Sequence, residues 1–331
     1  MILSLLLPPK RDARKWALAK QIGVNHCITK AIPELSGRQA PYHFEALKSI
    51  RDDFASAGLT LYGLEGDQFD MSPIKLGLND RDEWIEKYCA MICNMGRLGI
   101  PLLCYNWMAV IGWYRSRIDV PERGDAMSCG FDAKSVENEL VAEESRISEA
   151  RLWDNLFYFL NAVLPVAEEN GVKMALHPDD PPLSPFKGVG RILTSPENFE
   201  KVLAHFPSES NGITFCQATF KTMGVDLKEI SADWLKRNKI FFIHLRNVIG
   251  DRYRFRETFI DNGDTSISEM LEHYAACGFD GPIRSDHAPA MYGEYQKDFS
   301  GGISVGYDML GHIFATGYIK GICDTKGITS L

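Results

Sequence analysis

A short apolar run followed by an amphipathic helix recurs eight times along this chain, and that alternation limits its fold more than any other feature. The strand-like runs are Ile2–Leu7, Val24–Ile32, Leu59–Glu65, Ile100–Met108, Val172–His177, Gly212–Cys216, Ile240–His244 and Pro282–Asp286. Helical spacing follows them at Arg11–Ile22, Phe44–Ala57, Asp82–Leu98, Ser135–Asn170, Pro196–His205, Leu227–Arg237, Ser266–Cys277 and Tyr307–Ile322. Strands covered on both faces read as continuous apolar runs, and helices between them impose parallel pairing with right-handed crossovers. Eight such units are the number that closes a sheet on itself, so the expected fold is α/β, a (β/α)8 barrel. An open doubly wound sheet would ordinarily carry a glycine-rich phosphate turn after its first strand, and LLLPPKRDAR is not one. No compositional break or Ser/Gly-rich linker divides the 331 residues, so one barrel domain over 1–331 is expected. The stretch Ala109–Lys134 mixes Gly, Pro, Arg and aromatic residues, and is expected as an irregular, lid-like insertion.

Charge and cysteine usage narrow the function. A net charge of −8 excludes a general nucleic-acid surface or a basic membrane face, and an anionic substrate would need a local cationic pocket. The eight cysteines show no paired spacing of the zinc-ribbon kind, and Cys89 and Cys93 share a helix face. Several others sit in apolar runs as buried free thiols do, so a reducing cytoplasm is the expected compartment. The opening run MILSLLLPPKRDARK is too short for a signal peptide or a membrane span and reads as the first strand. A homo-oligomer is compatible with this composition, but no surface patch in the sequence marks an interface.

Strand ends in a β/α barrel converge on one face, so the residues closing each apolar run matter most. The last four runs end in His177, Cys216, His244 and Asp286, each a lone-pair donor on a rigid support. Alone, a histidine there is ordinarily a satisfied core group, a cysteine a buried thiol and an aspartate a cap. Four ligand types at four successive equivalent positions instead favour a divalent metal site. Two His, one Cys and one Asp suit Zn2+, Fe2+ or Mn2+, and the thiolate argues against Mg2+ and Ca2+. After His177 come Asp179 and Asp180, candidates to orient the histidine from behind. His287 follows Asp286 directly and suits a general acid/base, with Tyr307 a second candidate. Arg246, Lys221, Arg115 and Arg117 are candidate carboxylate clamps, whereas Arg252, Arg254 and Arg256 read as a solvated loop. Glu65, closing the third run, is a further candidate ligand or base.

Several motifs, taken in order, resemble the D-mannonate dehydratase family, sugar-acid enzymes with a xylose-isomerase-like barrel. They are Ile74–Gly77 (IKLG) with Arg81 and Asp82, Cys104–Met108 (CYNWM), Met174–Pro182 (MALHPDDPP) and Phe215-Cys216. His244–Asn247 (HLRN), Phe255–Asp264 (FRETFIDNGD), Asp286-His287 and Gly306–Ile322 complete the set. The resemblance implies dehydration of D-mannonate to 2-keto-3-deoxy-D-gluconate, supported by Mn2+ or Fe2+. It carries the ligand set onto His177, Cys216, His244 and Asp286, and the acid/base pair onto His287 and Tyr307. Arg246, Asn247, Lys221 and Asn106 become the candidate substrate contacts. In such a reaction the cation offsets enediolate charge, while acid and base groups are expected on opposite faces of the sugar acid. The chain departs from the family pattern at Ala288, at His312 and in the loop Tyr114–Phe131, all of which bear on the substrate end. The alternatives are a sugar isomerase or epimerase on the same barrel, or a metal- and sugar-acid-binding homologue without catalysis. Isomerases favour carboxylate-rich sites, and this set offers one carboxylate.

Overall fold

In the computed structural model, which describes residues 1–294 and 306–330, the eight expected strands close into a parallel barrel. Twelve strands occur in chain order: β1 (Ile2–Leu6), β2 (His26–Thr29), β3 (Thr60–Glu65), β4 (Leu102–Asn106), β5 (Arg117–Pro121), β6 (Met127–Asp132), β7 (Lys173–His177), β8 (Asn211–Cys216), β9 (Ile240–Leu245), β10 (Val248–Asp251), β11 (Arg254–Glu257) and β12 (Pro282–Ser285). The barrel runs β1-β12-β9-β8-β7-β4-β3-β2 and closes through β1 against β2. Six of the eight barrel strands are shorter than the apolar runs that announce them, and β8 and β9 are each one residue longer. Val24–Ile32 yields only His26–Thr29.

Side-chain alternation decides what the barrel encloses. Residues of one parity on the strands, among them Leu102, Cys104, Ala175, Ile28 and Phe242, form a small interior cluster. The other parity faces the helices and joins the main core. The helix Glu149–Glu169 shows how that core is built. Ser148 caps it by accepting from Arg151 N, and Leu152, Leu156, Phe159, Leu160 and Val163 form its buried stripe. Each such side chain contributes about 1.5–3 kcal/mol on leaving water. The stripe packs on the helix Arg81–Arg97, which ends at Leu98 before the positive-φ Gly99.

The stretch 109–134 departs from the irregular lid expected of it. It contains β5 and β6, which pair antiparallel with each other, while β6 also pairs with β11. The result is a four-stranded sheet, β10-β11-β6-β5, with its own apolar cluster of Phe131, Val136, Phe186, Val248 and Phe255. Arg254 and Arg256 lie on β11, and Arg252 in the turn before it, so that segment is a hairpin and not a loop. The stretch 135–170, whose spacing allows one long or broken helix, is broken: isolated 3-10 turns precede the helix that starts at Glu149. The closing helix spans Met309–Lys326 and approaches the end of the last strand at Gly311, where any Cβ would collide with the Pro289 carbonyl.

Candidate active site

The barrel interior rises at its C-terminal end into a polar layer. His177, Cys216 and His244 stand two positions beyond the interior residues Ala175, Thr214 and Phe242, and Asp286 stands two beyond Arg284. One ligand atom from each of His177, Cys216 and His244 lies within 4.8 Å of the others. Asp286 Oδ2 is 3.7 Å from His244 Nδ1 and 3.8 Å from Cys216 Sγ. His177 Nδ1 donates to the Pro178 carbonyl at 2.7 Å, which leaves Nε2 as its lone pair, and burial lowers its pKa. The Thr219 hydroxyl donates to Cys216 Sγ at 3.1 Å and aims it.

His244 is the telling member. It is 1% exposed, and among the described residues neither ring nitrogen has a hydrogen-bond partner. A buried imidazole left unpaired on both sides is costly unless something else takes a lone pair. Two imidazoles, a thiol and a carboxylate around such a group fit a divalent transition cation.

Beneath this set lies an ion-paired base. Arg284 reaches Glu65 with Nε at 3.0 Å and Nη2 at 2.5 Å, and Asp286 Oδ1 at 2.8 Å. Burial would raise Glu65, but Arg284 and His244 hold it down at about 2. Burial would likewise raise Asp286, and His287, Arg284, His244 and Arg246 keep it well below the usual carboxylate range. Arg284 thus occupies one oxygen of Asp286 and leaves Oδ2 facing the ligand set. Glu65, Cys104 and His244 also gather, but Glu65 there already has its cation.

His287 is held on both ring nitrogens. Nε2 lies 2.8 Å from the Tyr307 hydroxyl, and Nδ1 lies 2.8 Å from Glu257 Oε1 and 2.7 Å from Arg246 Nη1. Glu257 can only accept and Arg246 only donate, so Nδ1 turns either a proton to the carboxylate or a lone pair to the guanidinium, and the Tyr307 hydroxyl takes the complementary role at Nε2. Behind the histidine, Arg115 forks onto Asp180 at 2.7 and 2.8 Å and reaches Glu257 at 2.9 and 2.5 Å. Arg246 joins the same two acids at 2.9 and 3.2 Å. Burial pushes Glu257 up, yet His287 and the two guanidiniums bring it to about 2. Burial also raises Tyr307, with the Asp286 charge, well above the usual phenol range.

Several residues do other work than their sequence positions suggest. Arg246, 2% exposed, belongs to the network that positions His287 and is no free clamp. Asn247 spends its amide on the loop after β9: Nδ2 donates to the Ile260 and Thr265 carbonyls, and Oδ1 accepts from Val248 and Thr265. Lys221 sits on the short helix Gln217–Thr222 and Arg117 is exposed beside Asp119; neither lines the cavity. Asp179 accepts from Leu193 N at 2.8 Å and Asp180 serves the arginines, so neither orients His177. His287 and Tyr307 touch one another and so stand on one side of the cavity, not on opposite faces of it. His312 is structural: Ser285 Oγ and the Gly306 carbonyl hold its ring, which burial and then Arg284 push down to about 3. The Ala288 backbone N–H donates to the same carbonyl at 3.0 Å, a contact independent of the side chain, so of these two departures from the family pattern only His312 holds the residue before Tyr307 through its side chain.

His177 and Asp286 of the donor set and the His287–Tyr307 pair line one cavity of about 110 Å³. Glu65, Asn106, Trp113, His177, Asp286, His287 and Tyr307 are among its walls. The Asn106 amide is oriented from behind: its Oδ1 accepts from Lys75 Nζ at 3.0 Å and Met108 N at 3.1 Å, while Lys75 is locked to Asp67. Lys75, Glu257, Arg284 and Trp113 were not among the residues the sequence marks. Lys75 lies within the IKLG motif and Glu257 within FRETFIDNGD, and that placement was the available signal.

A closed parallel barrel with a transition-metal-type donor set and a buried His–Tyr pair at its C-terminal mouth defines the class: a barrel enzyme acting on a small polar substrate. The family model described as D-mannonate dehydratase (UxuA) matches residues 10–144 and 137–328. The mannonate dehydratase of Streptococcus suis (strain 05ZYH33) is 34% identical, with 96% of this chain and 92% of that protein covered. Mannonate dehydratase 2 of Halalkalibacterium halodurans is 33% identical over 84% of this chain and 86% of its own length. The crystal structure of mannonate dehydratase from Streptococcus suis serotype2 superposes with a TM-score of 0.88 at 31% identity, covering 100% of this chain and 97% of that one. The chain belongs to the D-mannonate dehydratase family, a family of hydro-lyases. Among the described residues no helix is long and apolar enough to cross a membrane.

Proposed function

We propose that this protein dehydrates D-mannonate to 2-keto-3-deoxy-D-gluconate and water, using Mn2+ or Fe2+ held by His177, Cys216, His244 and Asp286. The observation that carries the reading is the hydrogen-bonded His287–Tyr307 pair, 2.8 Å apart, lining one cavity with His177 and Asp286 of the donor set. When bound, the cation supplies Lewis acidity toward substrate oxygens and so lowers the cost of developing negative charge. The proton chemistry belongs to the chain. With its Nδ1 proton turned to Glu257, His287 takes the C2 proton at Nε2, and Glu257 stabilises the positive charge that results. Tyr307, whose raised pKa keeps it protonated, gives a proton to the departing C3 hydroxyl and is refilled from His287. One proton thus circulates, the C2–H and C3–O bonds break, and the resulting enol tautomerises to the 2-keto acid. Asn106, pinned by Lys75, offers its amide to the substrate in the same cavity.

An isomerase-like use of the barrel is disfavoured by Arg284, which neutralises Glu65 where a second carboxylate ligand or base would stand. The test is anaerobic incubation of the Mn2+-loaded protein with a panel of hexonates and hexuronates, scored for 2-keto-3-deoxy acids. Product from D-mannonate supports the reading. No product from any acid, with metal measurably bound, overturns it.

A further inference from the structure

We infer that Trp113, carried by the segment leading into β5, is a specificity-determining residue whose indole N–H donates to an oxygen of the bound sugar acid. The inference rests on the sugar-acid reading above and deepens it. Trp113 lines the cavity, and its ring stands edge-on to His287 with centroids 4.9 Å apart. Its Nε1 is buried and has no hydrogen-bond partner among the described residues. An indole N–H is a donor only, and proteins seldom leave one buried and idle. Trp113 itself lies in the wall of a cavity beside the proton-transfer histidine, where a substrate oxygen supplies the acceptor its N–H lacks.

The segment is also built to hold that ring still. Tyr114 N donates to the Asp180 carbonyl at 3.3 Å, and Arg115 donates to the Tyr114 carbonyl at 2.9 Å. The Arg115 side chain is locked between Asp180 and Glu257, and its guanidinium carbon lies 4.7 Å from the Trp113 ring centroid. A loop residue anchored on both the strand-end turn and the acid/base network loses little freedom when substrate arrives, so its hydrogen bond is realised nearly in full.

The test separates the N–H from the ring. Trp113 is replaced by 3-benzothienylalanine, which keeps the bicyclic shape and removes the donor, and independently by Phe. Each Mn2+-loaded variant is compared with wild type for KM and kcat on D-mannonate and for calorimetric Kd of D-gluconate. The expected result for the benzothienyl variant is about a tenfold rise in KM and Kd with kcat changed far less, the effect of losing one hydrogen bond to an anionic ligand. A purely structural ring would leave all three at wild-type values in that variant, and this outcome overturns the inference. Failure of wild type to dehydrate D-mannonate would instead refute the proposed reaction, with the Kd ratio still reporting on Trp113. Equal Kd values for wild type and variant there would sink the Trp113 role too.

Discussion

Removing Arg115 tests whether the charged cluster behind His287 holds the structure together. Its side chain is fully buried and makes four contacts of 2.5–2.9 Å with Asp180 and Glu257. Arg115 and Arg246 balance those two carboxylates one for one. Arg115→Met keeps much of the volume but leaves Arg246 facing both acids, and an uncompensated buried charge costs about 3–5 kcal/mol. For a chain of 331 residues that corresponds to a fall in Tm of roughly 4–7 °C. The sign with pH follows from the orphaned carboxylate. Protonating it relieves the penalty, so the gap between variant and wild type narrows as pH falls through the carboxylate range of about 4. Thermal unfolding followed by circular dichroism at neutral and mildly acidic pH measures both effects. A loss below about 1 kcal/mol, typical of solvated surface pairs, would show that the cluster is wet and refute the reasoning.

Three further outcomes are expected. His287→Asn should lower kcat on D-mannonate by about 10²–10⁴-fold while D-gluconate binding stays near wild type, since the general acid/base is lost and the pocket is not. His244→Ala and Cys216→Ser should each cut metal content after dialysis, read by elemental analysis, whereas Cys89→Ser should leave it unchanged. Glu65 and Glu257, held at about 2 against an ordinary 4.5, contribute stability that is fully present above pH 4.5 and lost as pH falls toward 2. Urea midpoints measured from pH 6 to pH 3 should therefore drop steeply, each group accounting for about 3 kcal/mol when fully protonated.

The barrel and the donor set were legible because both are periodic. Eight apolar runs announce eight strands, and the residue closing each run falls at the mouth whatever the loops do. Thus His177, Cys216, His244 and Asp286 could be placed together from sequence alone. The second sheet was not legible, for a physical reason. RIDVP and MSCGFD carry charges and glycine and bury little on their own, and the strand that stabilises β6, Arg254–Glu257, lies far along the chain. The arginine network was hidden similarly. Arg115 reads as a free cation because nothing local reveals that Asp180 and Glu257 will consume it. Arg284 sits inside the eighth apolar run, where a buried guanidinium is intelligible only once Glu65 and Asp286 are seen beside it.

These networks also account for how an acidic protein accepts an acidic substrate. Around the mouth, Arg115, Arg246 and Arg284 meet Glu65, Asp180, Glu257 and Asp286, three guanidiniums against four carboxylates. The carboxylates are kept ionised, so the protein groups alone present one negative charge to a sugar acid. A divalent cation on the donor set reverses that balance, and even after Cys216 gives up its proton to bind it the sum reaches neutrality. Cation and substrate binding are therefore linked: each should tighten the other by the same factor. Calorimetric titration of D-gluconate into metal-stripped and Mn2+-loaded protein measures that coupling, expected at tenfold or more, about 1.4 kcal/mol. Equal affinity in the two forms would mean that the substrate carboxylate is held elsewhere, away from this charge balance.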